Sequence, residues 1–215
     1  FLNDMACAGN TAKGFPGSCM QTPDGYVALG EDVPVYLQAD DAGALAAALT
    51  AVGGQLCCGC EKTCDPPELL FALDRTLTMH KTVDGATPVD APDYKSSKWS
   101  QAIAAIESVA GGGLDADLRL GLELWPKDPG GGQCVTLAER VTNSKQATNP
   151  QCQEGEVLVP PALNNGAAIA AAIDPLTTNL CISTPTGAGL ITAEDWLIDH
   201  VVPGRKQYVV LVTDG

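Results

Sequence analysis

Three short apolar runs, each bounded by turn-forming residues, limit what this chain can fold into more than any other feature. They occupy residues 68–73 (ELLFAL), 118–125 (LRLGLELW) and 207–213 (QYVVLVT). Such runs are too short for buried helices and match strands covered on both faces. A weaker run at 33–37 is a fourth strand candidate. Helical patterns lie between them. Trp99, Ile103, Ile106 and Val109 recur at helical spacing, with Ser96 or Ser97 as a cap and Gly111-Gly112-Gly113 as a stop. Residues 164–173 form an Ala-rich helix, and 186–198 a helix with Leu190, Trp196 and Leu197 as apolar members. Residues 40–52 carry acids in their first turn, where they favour the helix dipole. Strands alternating with helices predict an α/β fold, a mostly parallel, doubly wound, Rossmann-like sheet flanked by helices. Two stretches fall outside the alternation. Residues 80–98 read as a loop, and the polar, Gly/Pro-rich 127–157 as an insertion.

Charge narrows the partners. Twelve basic against 26 acidic side chains give a net charge of −14 over 215 residues. A surface of that sign repels phosphate, so nucleic acid is excluded as a partner, and anionic lipid is disfavoured. No run of about 18 apolar residues offers direct membrane insertion. The chain opens at Phe1-Leu2-Asn3 and is read as a mature product, a processed piece or a fragment.

Nine cysteines are too many for a reducing compartment. Cys57, Cys58, Cys60 and Cys64 crowd together, but His80 and His200 lie in unrelated contexts, so disulfides are preferred to a zinc site. Cys7 with Cys19, and Cys134 with Cys152, read as loop staples worth roughly 3 kcal/mol each. The expected location is secreted, periplasmic or cell surface. An odd total leaves at least one cysteine free or paired elsewhere.

The chemistry gathers at strand ends. Asp74-Arg75-Thr76-Leu77-Thr78 follows the first strong strand, and ligands of open parallel sheets bind at the carboxyl ends of strands. One carboxylate and two hydroxyls at alternate positions can point at one spot, the hard oxygen set that Mg²⁺ accepts. Taken alone the pattern also fits a turn with a helix cap. Thr184-Pro185-Thr186-Gly187 before a helix and Asp214-Gly215 after the last strand add a hydroxyl and a second carboxylate. The two aspartates could instead form a hydrolytic pair. Only His80 is a candidate general base nearby, and a lone loop histidine is read as an exposed bystander, so no enzyme is expected. Trp99, Trp125 and Trp196 read as packing residues.

An apolar strand ending in a DxTxT loop, a TPTG before a helix and a strand ending TDG together resemble a von Willebrand factor type A domain of the bacterial secreted or surface type. The resemblance implies a metal-ion-dependent adhesion site whose direct or water-mediated ligands are Asp74, Thr76, Thr78, Thr184 and Asp214. The ion would be Mg²⁺, or Mn²⁺ or Ca²⁺. Threonines replace both loop serines, Leu77 stands where a small residue is usual, and Ser183 where glycine is common. The segment order is unusual. Residues 1–58 resemble the C-terminal part of such a domain, 59–67 a Cys/Pro linker, and 68–215 its N-terminal and central part. On this view the order is permuted or the chain is a fragment, and the sheet lacks an interior strand beside 207–213. The implied function is an extracellular binding or adhesion module that captures an acidic group of a protein partner through the metal. The alternative is a structural subunit of a cell-surface assembly or filament, self-associating by exchange of segments.

Overall fold

A computed structural model of the chain describes residues 17–23, 25–29, 65–150 and 152–215. The chain divides into two units, Phe1–Leu56 and Cys57–Gly215. In the first, β1 (Cys19–Thr22) and β2 (Gly25–Ala28) form an antiparallel hairpin in the register Cys19↔Ala28 to Thr22↔Gly25. Cys19 is disulfide-bonded. Cys7, the cysteines at 57–64, the strand expected at 33–37 and the helix expected at 40–52 lie outside the described residues, as does most of 1–58.

The second unit is built on β3 (Glu68–Asp74), buried along its whole length. It pairs in parallel on one side with β4 (Arg119–Trp125) and on the other with β6 (Gln207–Val212). β5 (Glu156–Ala162) runs antiparallel beside β4, so the strand order is β5-β4-β3-β6. Four helices flank this mixed sheet: α1 (Lys98–Gly111), α2 (Leu137–Asn143), α3 (Gly166–Ala172) and α4 (Thr186–Asp199). The architecture is α/β and Rossmann-like. β6 ends the described sheet, and its residues before Val212 are only half-buried.

Local chemistry explains the elements. Ser97 caps α1 by accepting from the Ser100 amide at 3.1 Å. Trp99, Ile103 and Ile106 are buried on that helix, and Leu120, Leu122 and Leu124 alternate into the core along β4. Each such side chain contributes roughly 1.5–3 kcal/mol on burial. α4 approaches β4 closely where Gly189 meets Trp125; a Cβ at Gly189 would lie 2.5 Å from the indole Cγ.

Three expectations are corrected. Residues 127–157 are not a plain polar excursion: they hold α2, started by a Thr136/Glu139 capping box, and run into β5. β5 escapes the sequence reading because Pro160 and Pro161 argue against a strand. An edge strand tolerates them, since a missing amide there costs no ladder bond. Second, Cys134 pairs with Cys181, 47 residues on, while Cys152 is free and exposed. The antiparallel bridge Val135↔Leu180 sets the two cysteines side by side, a contact invisible to spacing. Third, Trp196 is half-buried and stacked on His200 at 4.0 Å rather than packed in the core.

Glu123 stands apart. It lies mid-strand in β4, fully buried against Gly155, and neither carboxyl oxygen has a hydrogen-bond partner among the described residues. Burial pushes its carboxyl up to about 8, so it is held neutral near pH 7. Among the described residues, no helix is long and apolar enough to cross a membrane.

Candidate metal centre

β3 and β6 are parallel neighbours, so their carboxyl ends emerge side by side. That topology brings together Asp74, at the end of β3, and Asp214, two residues beyond β6. Asp74 is buried and held on both oxygens: the Thr76 amide donates to Oδ1 at 2.7 Å, and the Thr213 hydroxyl to Oδ2 at 2.7 Å. Desolvation pushes its carboxyl up to about 6 against these hydrogen bonds, with the nearby Asp214 charge adding to the rise.

The hydroxyls continue the chain. Thr76 and Thr78 share a hydrogen bond at 3.1 Å between their Oγ1 atoms, and Thr78 donates onward to Asp214 Oδ1 at 3.1 Å. Thr76 is buried and Thr78 exposed, so the cluster runs from the interior to solvent. Four of the five residues expected to ligate, Asp74, Thr76, Thr78 and Asp214, are therefore joined in one network.

Thr184 is exposed in the loop before α4 and makes no side-chain hydrogen bond within that network. Its loop is nevertheless pinned to the site. Thr76 bridges Cys181 in parallel, and the Cys181 amide donates to Arg75 O at 2.9 Å. Buried Asn149 clamps Ile182, accepting from its amide at 2.6 Å and donating to its carbonyl at 3.2 Å. Ser183, where the resembled family often has glycine, adopts a left-handed φ of 72°.

Sequence reasoning missed several participants. Lys98, the first residue of α1, ion-pairs with Asp214 Oδ2. Thr213 and Asn149 hold Asp74 and the Thr184 loop. Arg75 is buried and turns away from the aspartates, donating through Nε to Pro126 O while its Nη2 finds no partner among the described residues. Burial pulls its guanidinium below the usual range, which Asp128 and Glu156 partly offset. Only Thr213 carried a signal, sitting beside Asp214; the others act across long separations. His80, expected exposed, is buried in a 3-10 turn (Leu77–His80) with Nδ1 against Leu77 O, and burial lowers its pKa.

A second group, Asp128, Cys134 and Cys181, has side-chain ligand atoms within 4.8 Å of one another and is a possible metal-binding cluster. Its two sulfurs are bonded to each other, so no thiolate is offered while the disulfide stands. Asp128 is also engaged, by Asn179 at 2.7 Å and the Gly130 amide at 2.8 Å.

Fold and site together define an α/β protein with an acid-and-hydroxyl cluster at the carboxyl ends of two parallel strands. The sequence matches no model of a known protein family and none of the curated proteins.

Proposed function

We propose that the second unit is an extracellular, divalent-cation-dependent binding module that captures an acidic group of a protein partner. The observation that carries this reading is the continuous network from buried Asp74 through Thr76 and Thr78 to Asp214. The donor set suits a hard cation: two carboxylates and hydroxyl oxygens, with no imidazole or thiolate among them. Asp74, Thr76, Thr78, Thr184 and Asp214 would hold the ion, in keeping with the von Willebrand factor type A resemblance. When bound, Mg²⁺ or Mn²⁺ would supply positive charge and an open position for a partner's carboxylate.

The chain's own residues prepare that step. Thr76 and Thr213 fix Asp74 in one orientation, so its ordering cost is met during folding. Thr78 and Thr184 stand at the solvent boundary, where a partner group arrives. A net charge of −14 repels acidic partners elsewhere, which confines their capture to the point where a cation reverses the local sign. The Cys134–Cys181 disulfide accords with an oxidising location.

Isothermal titration of Mn²⁺ or Mg²⁺ into the full chain tests the proposal. The wild type should give saturable heat, and Asp74→Ala should lose about 100-fold or more in affinity. The reading is overturned if neither the wild type nor Lys98→Met, which removes the ammonium from Asp214, shows metal-dependent heat.

A further inference from the structure

We infer that Lys98 is an internal competitor for the cation site: its ammonium neutralises Asp214 while no divalent ion is bound, and capture of the ion requires its displacement. This rests on the metal-dependent reading and concerns how that same site is regulated.

Three observations carry it. Lys98 sits at the first position of α1, the positive end of the helix dipole, where a cation is disfavoured. No acidic residue of that first turn balances it. Its partner is Asp214, distant by 116 residues, so a locally unfavourable placement is matched by a tertiary one.

The approach is also fixed. The Lys98 amide donates to Lys81 O at 2.8 Å, and the Thr82↔Ser97 bridge ties the helix start to the turn after Thr78. From that anchor the flexible stem reaches Asp214, and a four-carbon stem can swing out without moving the helix.

Finally, the ion pair is partly buried. Side-chain exposure is 24% for Lys98 and 5% for Asp214, and Thr78 takes the other Asp214 oxygen. Both oxygens of Asp214 are therefore occupied from within the protein. A dication placed at Asp74 and Asp214 would meet the ammonium at short range, in surroundings that screen it poorly. Either the ammonium leaves or affinity falls.

Mn²⁺ titration of the full-length wild type, Lys98→Met and Lys98→Arg tests this. Lys98→Met keeps the stem and removes the charge, and should bind about ten-fold tighter; Lys98→Arg should bind no tighter than wild type. A purely structural lysine predicts the opposite, an affinity unchanged or weakened in Lys98→Met. Equal affinities overturn the inference and leave the metal reading standing. Absence of heat from all three proteins overturns both.

A measurement on the wild type covers the case of a poorly folded variant. Acetylation by an N-hydroxysuccinimide ester, read by peptide mass spectrometry, should speed up several-fold at Lys98 when Mn²⁺ is added, with surface Lys95 as the internal reference. An unchanged ratio of Lys98 to Lys95 labelling overturns the inference.

Discussion

The two ends of β3 carry the same chemistry to different ends. Glu68 opens the strand and Asp74 closes it, and both are buried carboxylates. At the opening end, Glu68 accepts from Arg205 Nη1 at 2.7 Å and from Gln207 Nε2 at 2.9 Å, and Arg205 reaches on to Asp65 at 2.7 Å. A rigid guanidinium is thus committed to each of two acids. At the closing end, among the described residues, Asp74 has hydroxyl and amide donors only, and the single cation in contact with Asp214 is a lysine on a flexible stem. One end is neutralised by the fold; the other is held in shape with its charge incompletely answered. The proposed function accounts for this contrast: a structural acid is matched by its surroundings, whereas an acid kept for a ligand is merely oriented by them.

The largest expected effect removes the covalent clamp at the closing end. The paired change Cys134→Ser with Cys181→Ser opens a 47-residue loop. It should lower stability by about 4 kcal/mol on the loop-entropy relation. Urea unfolding reads this, and Mn²⁺ affinity should fall with it because the Thr184 loop is freed.

Arg205→Met comes next. It leaves Glu68 buried without its cation, and should cost about 3 kcal/mol in urea unfolding while leaving metal affinity unchanged. Equal damage to both ends by either change would break the contrast.

Glu123, between the two ends in register, sharpens it through pH. Its folded pKa is raised, so the protonated form is the one the fold accepts. The favourable contribution is complete below the ordinary value of 4.5 and is lost as pH rises towards about 8. Stability should therefore fall across that window, and Glu123→Gln should flatten the fall, gaining a few kcal/mol at pH 8 and nothing at pH 4. Thermal melts at the two pH values check it. The smallest effect is Asp74→Asn. On the proposed function this near-isosteric change should abolish metal binding, and it should leave stability within about 1 kcal/mol of wild type, or raise it. A loss of 3 kcal/mol in urea unfolding would make Asp74 a structural acid like Glu68.

Much of this was legible in the chain. The expected strands at 68–73, 118–125 and 207–213 and the helix after Ser97 lie within a residue or two of β3, β4, β6 and α1. Their signals are local: apolar runs, a cap, a glycine stop. The gathering of Asp74, Thr76, Thr78 and Asp214 was also readable, because ends of parallel strands share one edge of a sheet. β5 was not, because its two prolines contradict strand propensity and only an edge position beside β4 makes them acceptable.

By itself, then, the sequence determined the alternation of elements, the capped start of α1 and the acid-and-hydroxyl composition of the strand ends. Each follows from neighbours a few residues apart. Only the tertiary structure decided that Cys134 joins Cys181 rather than Cys152, that Asn149 and the disulfide hold the Thr184 loop, and that Lys98 answers Asp214. Those pairings span 33 to 116 residues, and no local propensity specifies which distant partner the folded sheet brings within reach.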